Sequence, residues 1–214
     1  MKKLLTTVVM GATFLLASCG TKTTSVTTTT QENSVKQVQL TDGSETVEVK
    51  TNPKKIVTFD LGAADTLRAI GKEDAIAGIP TKTLPTYIKD LGEKVQNVGS
   101  MKEPDIEAIA AMQPDLIIAS TRTKDFIPQL KEIAPTVIFN VDSKDYWGSV
   151  QKNVKSLASL FNEETQQKAS AQVKELQSVI DTIAAQNETH SEKSLAIMLN
   201  EGKMSAFGAQ SRFG

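Results

Sequence analysis

Cysteine and histidine are almost missing from this chain: its 214 residues hold one of each, Cys19 and His190. A lone cysteine excludes an internal disulfide and any cysteine-based metal site. A lone histidine removes most zinc constellations and leaves no Ser-His or Cys-His couple for nucleophilic catalysis. Neither sign of charge is in excess, with 24 Lys and Arg against 25 Asp and Glu, so net charge argues for no nucleic-acid partner. Long apolar runs are scarce too. The one at the N-terminus, residues 4–17, falls short of the roughly 20 residues a membrane-spanning helix needs.

What is present at that end is an address. Lys2 and Lys3 precede the apolar run, and small residues close it at Leu16-Ala17-Ser18-Cys19. This is the layout of a secretory signal with a cleavage site, residues 1–18, and of a bacterial lipoprotein whose Cys19 thiol is lipidated. Two acyl chains on Cys19 give the stable anchoring that one chain cannot. Cleavage removes Lys2 and Lys3 and no acid, so the formal net charge of −1 becomes −3. Residues 19–37 follow as a threonine-rich tether without apolar periodicity, Thr27 to Thr30 being consecutive. As a flexible coil it would span roughly 20–25 Å.

Residues 38–147 alternate short apolar runs with amphipathic segments, the signature of a βα series and an α/β lobe. Thr46 to Lys50 reads as an edge strand and Lys55 to Phe59 as a buried one. A helix from Ala63 to Ile70 stops at Gly71, and Ala75 to Ile79 is a strand closed by Pro80. After a loop containing Pro85 and Gly99, Pro104 opens a helix with Ile106, Ile109, Ala110 and Met112 on its apolar face, and Pro114 ends it. Asp115 to Ser120 is a strand, Phe126 to Ile133 a helix, and Thr136 to Asn140 a strand.

From residue 148 to 188 the period is helical. Val150, Val154, Leu157 and Phe161 share one face; Asn162 is an N-cap, and Ala169, Val173, Leu176, Ile180 and Ile183 continue the stripe along a bridging helix at 163–186. Residues 189–214 begin a further unit: His190 lies in a polar turn, and Leu195 to Leu199 with Met204 to Phe207 read as a hairpin. The unit stops in mid-motif at Gly214, which reads as a truncation.

The ordered set of Asn52-Pro53-Lys54-Lys55-Ile56-Val57, Asn97-Val98-Gly99-Ser100-Met101-Lys102-Glu103-Pro104-Asp105, Gln113-Pro114-Asp115-Leu116-Ile117-Ile118, Asp145-Tyr146-Trp147 and Gly208 to Gly214 resembles the iron-siderophore-binding lipoproteins of ABC importers, nearest to the catecholate or petrobactin type. The resemblance implies a two-lobed α/β fold of the periplasmic-binding-protein type, helical-backbone class, in which a long helix joins the lobes and allows small opening and closing. Here the C-terminal lobe would be mostly absent. It implies a monomeric binder, not an enzyme, that captures a ferric siderophore and passes it to an ABC permease. Its place would be the extracytoplasmic face of a Gram-positive cell membrane.

The cargo is a compact anion with flat aromatic faces and coordinatively saturated iron, so the protein needs cations rather than metal ligands, and no cofactor. Guanidinium suits this, with permanent charge, directed donors and a planar face. Arg122 lies just past the carboxyl end of strand 115–120, where open α/β sheets place their crevice, and Arg212 lies beyond the hairpin. The resemblance implies that both match cleft arginines; the alternative is two solvated loop arginines. Arg68, inside an amphipathic helix, is expected to face water. Glu107 resembles the glutamate with which such proteins dock on their permease, or is a helix N-terminal acid stabilised by the macrodipole. Tyr146 and Trp147 fit hinge packing better than a ligand platform. Met101, Met112, Met198 and Met204 fit core filling better than haem ligation. Haem, cobalamin and ferric citrate are competing cargoes, because one frame serves them all, and a carboxylate hydrolase is the remote alternative.

Overall fold

The computed structural model describes residues 37–41, 45–189 and 195–208. Cys19, the tether up to residue 36, His190 and Arg212 lie outside the described residues. Strands β1 (Gln37–Thr41) and β2 (Thr46–Lys50) pair antiparallel, with Gln37 opposite Lys50 and Thr41 opposite Thr46. Alternation turns Leu40 and Val49 inward, both buried, while Gln39 and Glu48 face water. Thr46 to Lys50 is therefore a strand, but of a separate two-stranded sheet. A Lys131–Glu45 ion pair links that hairpin to the helix at Ile127–Ile133.

The main sheet follows. Strands β3 (Ile56–Thr58), β4 (Ile76–Ile79), β5 (Gln96–Asn97), β6 (Leu116–Ala119) and β7 (Thr136–Ile138) lie in the order β5-β4-β3-β6-β7, all parallel. Every residue of β3 and β6 is buried, as expected when both faces of a parallel sheet are covered. One face packs Ile56, Leu116 and Ile118 against Leu67 of α1 (Leu61–Ala69), Leu157 and Phe161. The other packs Val57, Phe59 and Ile117 against Ile109 of α2 (Ile106–Met112) and Leu130 of α3 (Ile127–Ile133).

A clasp at the amino end sets the register of the two central strands. The Asp115 carboxylate Oδ2 accepts the backbone N–H of Lys54 at 2.7 Å and of Lys55 at 3.0 Å, while the Asp115 N–H donates to Lys55 O at 2.8 Å. The Lys55 ammonium in turn donates to Met112 O at the end of α2. Asn52 and Gln113 sit in the left-handed region beside it, with φ of 55° and 51°, and Asn52 N–H donates to Leu160 O. The Asn-Pro-Lys-Lys and Gln-Pro-Asp segments are thus parts of the frame, at the end of the sheet opposite the strands' carboxyl termini.

Several elements differ in detail from the sequence reading. Helix α1 starts at Leu61 because Asp60 caps it. Pro104 stands outside α2, bridged to Gly99, and Asp105 is the cap; Ala110 is exposed. The loop of residues 80–99 contains the 3₁₀ segment Thr86–Glu93 and strand β5, both too short and irregular to leave a periodicity. Arg68 is not a free surface cation. Its guanidinium donates to Glu73 at 3.1 Å, to both oxygens of Asp90 at 3.0 Å and to Tyr87 O at 2.9 Å. That network binds α1 to the 3₁₀ segment. The Arg68 hydrogen bond and charge hold the Asp90 carboxyl below its ordinary value.

Helices α4 (Tyr146–Ser159) and α5 (Glu163–Asn187) pack on the α1 side of the sheet. Asn162 caps α5 through Thr165, and Gln172 reaches Ala69 O at 2.8 Å. At 25 residues α5 is about 37 Å long. Only its first half is seated; Leu176, Val179, Ile180 and Ile183 form an exposed stripe. Strands β8 (Ala196–Asn200) and β9 (Lys203–Phe207) form the expected hairpin, with Glu201 and Gly202 at φ of 49° and 76°, the signs a two-residue type I′ turn needs.

Replacing Asp115 with alanine strips two backbone donors of a charged acceptor, which costs about 2 kcal/mol. Urea unfolding of Asp115→Ala is expected to show a lower midpoint at unchanged slope, and an unaltered midpoint would refute the clasp.

Candidate functional site

The chain leaves β3 on one side to form β4 and β5, then crosses to form β6 and β7 on the other. The switch point therefore falls between the carboxyl ends of β3 and β6, where open α/β sheets hold their ligands. The segments that reach this end are Phe59-Asp60 after β3, Ser120 to Phe126 after β6, Pro80 to Pro85 after β4, and Val98 to Pro104 after β5.

Arg122 stands on a rigid turn. Ser120 Oγ accepts the Arg122 N–H at 3.2 Å; Thr123 Oγ1 accepts from Ser120 N at 2.9 Å and donates to Ser120 O at 2.9 Å. The Thr123 side chain is fully buried, which pins the turn to the sheet. The Arg122 guanidinium itself is exposed, and among the described residues it has no side-chain hydrogen bond and no ion pair. Its five N–H donors are open to an anionic partner.

Asp60 is the second charged group at the switch point. Its Oδ1 accepts the N–H groups of Gly62 at 2.8 Å and Ala63 at 3.2 Å, and its own N–H is held by Thr58 Oγ1 at 3.0 Å. Burial pushes its carboxyl above the ordinary value, outweighing the two backbone hydrogen bonds that pull it down. It lines a pocket of about 240 Å³ between α1, α4 and the segment after β7, together with Thr66, Phe139, Tyr146, Asn153 and Val154.

The segment after β5 is a tight loop. Gly99 has φ of 97°, and a Cβ there would come within 2.5 Å of Glu103 O. Ser100 Oγ accepts from Lys102 N at 3.3 Å and Glu103 N at 3.0 Å. Lys102 rides exposed on this loop, and Lys82 is exposed on the segment after β4. Neither was a site candidate in the sequence. Their signal was positional: each falls just past a strand of the parallel sheet, and β5 was not legible as one.

Glu107 sits on the first turn of α2, exposed and without an ion pair among the described residues, on a different element from Arg122. Trp147 donates its indole N–H to Gln177, whose carbonyl oxygen also accepts from Gln151 at 3.3 Å and whose amide donates to Asp181 at 2.7 Å. It clamps the first turn of α4 to the middle of α5. Tyr146 is 41% exposed at the pocket mouth. Met112 packs against the core, whereas Met198 and Met204 are exposed on the hairpin among the described residues. Arg212 lies outside the described residues. Among the described residues no three His, Cys, Asp or Glu side chains gather as a metal site.

The chain was compared with known proteins. A family model described as periplasmic binding protein matches residues 56–214. The petrobactin-binding protein YclQ of Bacillus subtilis is 35% identical over 206 residues, 94% of this chain and 63% of the relative. The crystal structure of YclQ superposes with a TM-score of 0.79 at 34% identity, covering 84% of this chain and 63% of that one. The iron uptake ABC transporter substrate-binding protein PiuA from Streptococcus pneumoniae gives a TM-score of 0.78 at 55% identity, over 81% of this chain and 61% of that one. The catecholate-siderophore binding protein VctP from Vibrio cholerae gives 0.72 at 26% identity, over 83% and 63%. The chain thus spans about six-tenths of the length of these relatives.

The raised carboxyl of Asp60 makes a prediction with a definite sign. A folded-state value above the unfolded one of about 3.9 means that ionising Asp60 weakens the fold as pH rises through the folded value. Asparagine keeps the helix cap without the charge. The stability difference between Asp60→Asn and wild type, measured by urea unfolding at several pH values, should shift toward the variant as pH rises from about 3 to 7; a shift toward wild type would contradict the burial argument.

Proposed function

The chain belongs to the periplasmic binding protein family, and from that premise we propose that it captures a ferric siderophore outside the cell and hands it to an ABC permease, making and breaking no covalent bond. The observation that carries the reading is the unpaired, exposed Arg122 guanidinium on a buried-threonine turn at the switch point of the sheet. A ferric catecholate or hydroxy-acid chelate offers anionic oxygens and flat rings, which a guanidinium meets with charge-assisted hydrogen bonds and stacking. Relatives named as petrobactin-binding and catecholate-siderophore binding support the cargo class.

Four further parts belong to the same reading. Arg212 is a second cleft cation, supplied from beyond the β8-β9 hairpin. A second lobe packs on the stripe of Leu176, Val179, Ile180 and Ile183 and on the exposed hairpin side chains Leu195, Leu199 and Met204, forming the other wall of the cleft. Contiguous exposed apolar side chains of this kind mark surfaces that another body covers. Cys19 carries the lipid, and the threonine-rich tether read as residues 19–37, shortened by one because Gln37 opens β1, holds the lobe at the membrane beside its permease; a relative named as an ABC transporter substrate-binding lipoprotein agrees with that placement. Glu107 docks the permease through its exposed carboxylate on α2.

Two measurements test this. Titrating the two-lobed protein with a ferric catecholate, followed by Trp147 fluorescence, should show Arg122→Ala weakened about ten- to hundredfold, the value of a charge-assisted hydrogen bond of about 1.5–3 kcal/mol. Unchanged affinity would remove Arg122 from the site. Glu107→Ala should bind the same chelate as wild type yet lose most iron uptake in cells; full uptake would end the docking role.

A further inference from the structure

The pocket beside the switch point carries a chemistry opposite to that of Arg122. Three oxygens on its lining side chains lack a donor among the described residues. Both cap bonds of Asp60 go to Oδ1, leaving Oδ2 unused. Asn153 spends its Nδ2 on Asn140 O at 3.1 Å, which orients its Oδ1 the other way. The Thr66 hydroxyl donates to Gly62 O at 2.8 Å and so keeps its lone pairs. Among the described residues no lysine or arginine lines the pocket, and Phe139, Val150 and Val154 supply apolar walls.

An anion placed there would meet a carboxylate with no cation to offset it. A neutral alkyl group would leave the carboxylate desolvated and unpaired. A primary ammonium, by contrast, has three N–H donors for three acceptors and a charge to neutralise Asp60. The volume of about 240 Å³ admits a short alkylamine.

We propose that the pocket formed by Asp60, Thr66 and Asn153 is a subsite for a primary ammonium group, an amine-bearing arm of the cargo whose anionic chelate is held at Arg122. This rests on the proposed function for the identity of the cargo, but not for the chemistry of the pocket. It turns the site into a dipolar reader: a chelate with an amine arm satisfies both ends, and one without it leaves Asp60 unpaired. Discrimination then comes from the penalty of that unpaired group.

The experiment uses n-butylammonium chloride and 1-butanol as probes, at constant ionic strength, with binding followed by calorimetry and by Trp147 fluorescence. Wild type should bind butylammonium saturably, and at least tenfold more tightly than butanol. Asp60→Asn, which keeps the helix cap and is checked for folding by circular dichroism, should lose that preference. Val150→Phe, which fills the pocket from α4, should weaken butylammonium without touching the carboxylate. Equal binding of butylammonium by wild type and Asp60→Asn, equal binding of the two probes, or indifference to Val150→Phe overturns the subsite. No chelate is present in this assay, so its failure leaves the Arg122 reading standing, and a failure of Arg122→Ala in the chelate titration leaves the ammonium pocket standing.

Discussion

Asp115 holds the geometry on which the site depends. By accepting the N–H groups of Lys54 and Lys55 and donating its own to Lys55 O, it fixes β6 beside β3 before either strand begins. The register then runs without a slip, Ile56 against Leu116, Val57 against Ile117 and Thr58 against Ile118. The same offset brings Asp60 level with Ser120 at the far end, so the helix cap and the turn bearing Arg122 arrive together. A slip of one residue would exchange the side chains that these strands give to the two cores on either face of the sheet. The clasp at one end of the sheet thus decides what meets at the other.

Charge at the working end is arranged by pairing. Arg68 inside α1 is consumed by Glu73, Asp90 and Tyr87, while Arg122 on the turn after β6 has no such partner among the described residues. The first holds α1 to the 3₁₀ segment, and the second is the cation that the proposed function uses. Among carboxylates the contrast repeats. Asp115 is satisfied by backbone donors in a frame, whereas Asp60 has one oxygen in a cap and one without a partner among the described residues, and its burial raises its proton affinity. Unpaired, partly buried charge such as that of Asp60 is costly to keep, and a carboxylate so placed in a pocket marks a candidate functional site.

Hydrogen bonds also fix the helical part on the sheet. Asn162 starts α5, Gln172 seats it on α1, and Trp147 with Gln177 locks α4 against its middle. The rest of α5 and the hairpin expose a row of apolar side chains with no partner among the described residues. The rigid half and the uncovered half of one helix are what a strut between two bodies looks like.

Periodicity made most of this legible in the sequence. Strands β3, β4, β6 and β7, all five helices, the Asn162 cap and the β8-β9 hairpin follow from apolar spacing and punctuation, because those patterns are local. The family likeness was also readable, yet its strongest motifs, around Asn52 and Asp115, belong to the frame rather than to the ligand end. Tertiary structure alone decided the pairing order β5-β4-β3-β6-β7, and with it which loops share an end. Strand β5, the 3₁₀ segment Thr86–Glu93, the capture of Arg68 by residues some twenty positions away, and the pocket that joins Asp60 to Asn153 all rest on contacts distant in the chain. A sequence pattern reports the face a residue turns inward; only packing reports which neighbour it finds there.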